Sequence, residues 1–178
     1  MMLQVTVDSV RASLMSPQRL VVLRTTEGDR YLPIWIGGFE ADAIAIELQG
    51  LDTPRPMSHD LLRSAITALG GKVSHVVIRD LQQDTFFASV VLDQDGQELQ
   101  LDARPSDSVA LAVRAKAPIF VDSSVLDRAG VVEEVDLREE ARARSQHHDE
   151  TLEVFREFIE ELSFDQGTGT QSADEEVA

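Results

Sequence analysis

Cysteine is absent from the 178 residues. That excludes disulfides, thiolate metal sites and a cysteine nucleophile, so hydrolytic chemistry here must rest on carboxylates, His, Ser or a bound metal. No apolar run approaches the roughly 18 residues of a membrane span, and the opening MMLQVTVDSVR lacks the basic and apolar regions of a secretory leader. The chain is therefore expected to be cytoplasmic, with no membrane partner. Phosphate-loop patterns of the GxGxxG and GxxxxGK[ST] kinds are missing, and neither Ser58 nor Ser106 sits in a GxSxG context. Gly37-Gly38 after an apolar strand thus reads as a tight strand-to-helix turn.

Basic residues are scarce, 16 against 32 acidic ones, a net charge of −16. Nucleic-acid binding usually leaves a basic footprint, so the sum argues against it. The distribution softens that argument. Residues 1–130 hold 17 acidic and 12 basic side chains, net −5, and residues 131–178 hold 15 and 4, net −11. A local Arg cluster on the mildly acidic body can still meet a phosphate.

What is present is a body of short alternating elements, expected to form one domain over 1–130. Residues 3–36 read as a three-strand antiparallel meander, with turns at 15–18 and 27–29. Residues 40–49 predict a helix with Ala41, Ile44, Ala45 and Leu48 inward, and Glu40 and Glu47 on one polar edge. Pro54-Arg55-Pro56 is a stiff corner. It leads to a helix with Ser58 as expected N-cap, His59 and Asp60 in the first turn near solvent, and Leu62, Ala65, Ile66 and Leu69 as buried stripe. Strands over 72–80 and 85–93 pair, and Asp95-Gly96 turns the chain into a return strand over 97–102. Arg104-Pro105-Ser106-Asp107 then repeats the proline corner, with Ser106 as N-cap candidate. The following helix has Val109, Ala112 and Val113 as its core side. A short strand over 119–121 and a small helix over 124–129, stopped by Gly130, complete the body.

Beyond it, 131–163 reads as a charged linker and an amphipathic helix. Its stripe of Leu152, Phe155, Phe158, Ile159 and Leu162 must pack on the body or on a partner subunit. Residues 164–178 have the composition of a disordered acidic tail. His147-His148 is better explained by linker composition than by metal binding, because consecutive residues face apart on a helix. Phe86, Phe87 and Trp35 lie in strands and read as core or interface.

The chemistry-bearing residues gather at element boundaries: Glu40, His59, Asp60, Asp102 and Asp107, with Arg55 and Arg104. Acids in a first helical turn are at home electrostatically, and Arg–Asp pairs can simply brace the corners. The same set suits metal-assisted phosphodiester hydrolysis, in which carboxylates hold a hard cation, Arg neutralises phosphate and His moves a proton. The spacing matches no tight signature.

Longer blocks carry a resemblance. Pro33-Ile34-Trp35-Ile36-Gly37 with Glu40-Ala41, Arg55-Pro56-Met57-Ser58-His59-Asp60-Leu61, Thr85-Phe86-Phe87-Ala88, and above all Asp102-Ala103-Arg104-Pro105-Ser106-Asp107-Ser108-Val109-Ala110-Leu111-Ala112 resemble the bifunctional nuclease family. Ser58 stands where that family usually has Thr, Phe87 where Tyr is common, and Ser108 where Ala is frequent. The resemblance, covering about residues 3–130, implies an α+β fold: a largely antiparallel sheet with short helices packed on it, here followed by the C-terminal helical extension. It further implies a homodimer with a large groove and cleavage of both DNA and RNA. In this reading His59, Asp60, Glu40 and Asp107 are catalytic, and Arg55 and Arg104 bind substrate. Glu40, Asp60, Asp102 and Asp107 hold a divalent metal, Mg²⁺ or Mn²⁺. The alternative is a non-enzymatic module that binds a regulatory ligand or a protein in the same groove, the acidic set being architectural. The acidic extension could also mimic nucleic acid and occlude the groove.

Overall fold

The computed structural model describes residues 1–12 and 18–132. Most of the turn expected at 15–18, and the linker, helix and tail expected beyond Val132, lie outside them. Alternating apolar residues in β1 (Met2–Ala12) and continuous apolar runs in β2 (Arg19–Thr25) and β3 (Tyr31–Ile36) build a first meander, paired antiparallel in chain order. A second meander joins β4 (Gly71–Gln82), β5 (Thr85–Gln94) and β6 (Gln97–Ala103). Its turns, Gln83-Asp84 and Asp95-Gly96, have positive φ at both residues, the backbone that matches strand twist in a two-residue hairpin.

One strand unites the two halves. β7 (Ile119–Asp122) runs antiparallel to β1 and parallel to β4, giving the order β3-β2-β1-β7-β4-β5-β6. The fold is α+β, with a mostly antiparallel seven-stranded sheet and four helices. The sequence showed the strand but not its central place or its parallel neighbour.

α1 (Gly38–Leu48) and α2 (Ser58–Ala68) link the meanders, α3 (Pro105–Ala115) carries the chain from β6 to β7, and α4 (Ser123–Ala129) follows β7. α3 is the central helix and touches α1, α2, β4 and β5. Its Val109, Ala110, Leu111 and Ala112 are all buried, a wider apolar surface than the expected stripe. Leu23, Leu32, Ile44, Ile78 and Leu126 fill the same core. Each such side chain contributes about 1.5–3 kcal/mol on leaving water. A smaller cluster packs Leu20 and Val22 with Tyr31, Trp35 and Val131. Val131 also bridges Tyr31 through two backbone bonds of 2.8 Å, which ties the residue after Gly130 to the edge of β3.

Three local expectations are corrected. Neither Ser58 nor Ser106 caps a helix. The N-caps are Met57 and Arg104, because each helix starts one or two residues earlier, with Pro105 in the first turn of α3 where its missing N–H costs nothing. In α2 only Ile66 is buried, while Leu61, Leu62 and Leu69 remain exposed, since the helix rests on α3 and β4 along a narrow line. Nor are His59 and Asp60 near solvent: both are half-buried. No helix among the described residues is long and apolar enough to cross a membrane.

Gly130 closes α4 with an ordinary negative φ, and what selects glycine is space. A Cβ there would lie 2.4 Å from the Leu126 carbonyl oxygen, a backbone atom that cannot swing aside. Gly130→Ala is expected to destabilise the domain by about 1–3 kcal/mol, the range for overpacking, read as a lower urea midpoint.

Candidate active site

Three helices begin at one place. Gly37, Met57 and Arg104 are the N-caps of α1, α2 and α3, and three residues after each stands an acid: Glu40, Asp60 and Asp107. An acid at that position normally reaches back to the free N–H groups of its own helix start. Asp60 does so, with Oδ2 accepting from the Met57 N–H at 2.9 Å. Glu40 and Asp107 instead accept from the Arg104 side chain, although the Glu40 carboxylate folds back against Gly37.

Arg104 donates from Nε to Asp107 Oδ2 at 2.7 Å and from Nη2 to both Asp107 Oδ1 at 3.1 Å and Glu40 Oε1 at 2.8 Å. His59 approaches from α2, its Nε2 lying 3.1 Å from Asp107 Oδ1. Burial pushes the Asp107 carboxyl up, but hydrogen bonds from Arg104 and His59 outweigh it and hold the group below the usual carboxylate range. An ionised carboxylate only accepts, so His59 Nε2 carries the hydrogen and a neutral ring leaves Nδ1 as the basic atom. Gly37 permits the approach of Glu40: a Cβ at Gly37 would fall 2.3 Å from Glu40 Oε2.

These groups line a cavity of about 620 Å³. α1 contributes Phe39, Glu40, Asp42, Ala43 and Ile46; the second start contributes Met57, Ser58 and His59; the third contributes Arg104 and Asp107. Its lining mixes apolar Phe39, Ala43, Ile46 and Met57 with ionisable Glu40, Asp42, His59, Arg104 and Asp107.

Of the seven site residues expected from sequence, four converge: Glu40, His59, Arg104 and Asp107. Asp60 faces the other way, into a structural tie. Its Oδ1 accepts from Arg114 Nε at 2.8 Å, and Arg114 also donates to the Ala110 and Ala43 carbonyls at 3.0 and 2.9 Å. Asp102 pairs with Arg79 and is largely exposed, outside the cavity. Arg55 is exposed on its corner, and no side-chain bond among the described residues draws it to the cluster.

Sequence reading missed Arg114, which is buried, and Phe39, Met57 and Asp42 on the cavity wall. A signal for Arg114 existed. Asp107 and Arg114 are i and i+7 on one helix and so share a face, and the successive His59 and Asp60 each take one of them.

Among the described residues, no three His, Asp or Glu side chains converge as a metal cage, so the expected four-carboxylate centre is not assembled. Glu40 and Asp107 do converge. Three of the pair's four oxygens accept from Arg104 or His59; Mg²⁺ is commonly held by one or two carboxylates together with substrate phosphates, so the pair suits an ion that arrives with its substrate only through its remaining acceptor capacity, Glu40 Oε2 foremost.

An α+β domain whose helix starts surround an Arg, a His and two acids is the class that fold and site define. The bifunctional nuclease domain model matches residues 21–134, and the chain belongs to that family. An uncharacterized protein of Mycobacterium tuberculosis (strain H37Rv) is 43% identical over 162 residues, covering 91% of this chain and 96% of that protein. Bifunctional nuclease 1 of Oryza sativa subsp. japonica is 27% identical over 120 residues, and Bifunctional nuclease 2 of Arabidopsis thaliana is 25% identical over 111. The matched segment makes up 36% and 34% of these plant proteins.

Proposed function

We propose that the protein is a nuclease that hydrolyses phosphodiester bonds of DNA and RNA in this cavity. One observation carries the reading: two acids in first-turn capping positions give up capping to hold a half-free guanidinium, with a histidine on the same carboxylate. Bracing alone does not need that arrangement, since Asp60 shows the capping alternative in the same fold. Arg104 neutralises the scissile phosphate, and Asp107 orients His59, whose Nδ1 takes or returns the proton of the attacking water. Glu40 and Asp107 would hold Mg²⁺ or Mn²⁺, and the ion would offset the negative charge that phosphate brings to an acidic site. Asp42 adds to that charge. A homodimer, with the cavity opening into a groove between subunits, belongs to the same reading.

The test is cleavage of labelled single-stranded RNA and DNA with Mg²⁺, Mn²⁺ or EDTA, using wild type and an identically purified Glu40→Ala/Asp107→Ala variant. Metal-dependent cleavage is expected in wild type alone. Equal cleavage by the two proteins, with the variant folded, would sink the assignment.

A further inference from the structure

We infer that Phe39 is a stacking platform for an unpaired nucleobase, so that the cavity takes single-stranded nucleic acid with one base on Phe39 and the neighbouring phosphate at Arg104. The inference rests on the nuclease reading and adds the form of substrate and the residue that holds it.

Phe39 is 89% exposed. The other described aromatic residues, Tyr31, Trp35, Phe86, Phe87 and Phe120, are all at least partly buried. Nothing in the core requires Phe39 to face water, and it stands on the wall of the cavity that contains the ionic cluster. On α1 the cavity lining continues from Phe39 through the buried Ala43 to the half-buried Ile46, at i+4 and i+7, so Phe39 is the apolar side chain of this helix that stands open to the cavity. Met57 lines the same cavity. Arg104 commits Nε and Nη2 to carboxylates, while Nη1 has no partner among the described residues.

An exposed aromatic ring beside a cation with a free N–H edge matches a nucleotide, which has an apolar base face and an anionic phosphate. Phe39 directly precedes Glu40, which accepts from Arg104 at 2.8 Å, so the aromatic ring and the guanidinium stand side by side as a base and its neighbouring phosphate do. A base inside a duplex has both faces covered by its neighbours, so only an unpaired base can use Phe39. Because every base has a π-face, the contact is tolerant of sequence and of sugar.

The test measures binding without turnover. Full-length wild type, Phe39→Ala and Phe39→Trp are titrated in Ca²⁺ buffer, in place of Mg²⁺, against fluorescein-labelled oligothymidylate and an abasic oligomer of equal length and charge. Wild type is expected to bind oligothymidylate roughly tenfold more tightly than the abasic oligomer, the worth of one stacked base. Phe39→Ala should erase that difference while leaving abasic binding unchanged, and Phe39→Trp should restore it. Equal binding of the two oligomers by wild type overturns the stacking role and leaves the nuclease reading standing. Binding of neither oligomer overturns both. A Phe39→Ala variant that changes sedimentation mass but keeps the preference assigns Phe39 to a subunit contact and also overturns the inference.

Discussion

Replacing Arg114 with Met is expected to lower the unfolding free energy by about 3 kcal/mol, the lower end of the range for stripping one partner from a buried ion pair. The lower end applies because the pair is buried on one side only: the Arg114 side chain is 1% exposed and that of Asp60 is 23%. Methionine keeps most of the volume, so the loss reports hydrogen bonds rather than a cavity. Those bonds tie three helices: Arg114 grips α1 through the Ala43 carbonyl and α2 through Asp60, while Arg63 of α2 donates to the Arg114 carbonyl at 2.8 Å. Equilibrium urea unfolding should show a lower midpoint with an unchanged slope.

The acid limb of stability gives a second reading of the same variant. Burial pushes the Asp60 carboxyl up, and the Met57 N–H and Arg114 more than offset it, so its folded pKa is depressed. A depressed carboxyl contributes stability that is complete above its unfolded pKa and is lost as pH falls through the folded one. Without Arg114 that folded pKa rises, so Asp60 contributes less stability at neutral pH and its share is lost at higher pH. Cleavage should fall as well, because Asp60 directly follows His59 in the turn that aims the ring at Asp107.

Much of this architecture is local and therefore legible. Asp95-Gly96 announces a hairpin because two residues alone determine the turn, and the apolar segments of β1 to β3, closely spaced with turn residues between them, specify an antiparallel meander without reference to the rest of the chain. β7 is different. Its partners are Met2–Val5 and Val76–Ile78, far away in sequence, and four residues carry no mark of a parallel neighbour. The exposed leucines of α2 mislead for a related reason, since a periodic stripe states that a face is apolar without stating what covers it. At the site, sequence places an acid after each of three helix starts but cannot rank them. Asp60 and Asp107 look alike on paper. Which one caps and which one holds a histidine is decided by where Arg114 and Arg104 lie in space. Asp102 sits two residues from Arg104 and still belongs to another pair, because β6 aims it at Arg79.

Substituting His59 with Gln is expected to cut kcat by 10²- to 10⁴-fold, the usual worth of a positioned general acid or base, with little change in substrate affinity. Arg104→Gln should do something different. It removes the principal group that lowers the Asp107 carboxyl, leaving burial opposed mainly by the His59 bond. In wild type Asp107 stays ionised to a pH below the ordinary carboxylate range, so it keeps accepting from His59 throughout weakly acidic solution. In the variant the carboxyl takes its proton at a higher pH, and a protonated acid no longer fixes the His59 tautomer. The acid limb of kcat should therefore move to higher pH in Arg104→Gln, on top of a raised KM from the lost phosphate contact. Full pH profiles separate the two effects. An acid limb that stays in place while KM rises means that Arg104 serves the phosphate alone. A limb that moves means that one guanidinium both receives the substrate and maintains the charge state of the dyad, the economy that brings Glu40, Arg104 and Asp107 together at the start of three helices.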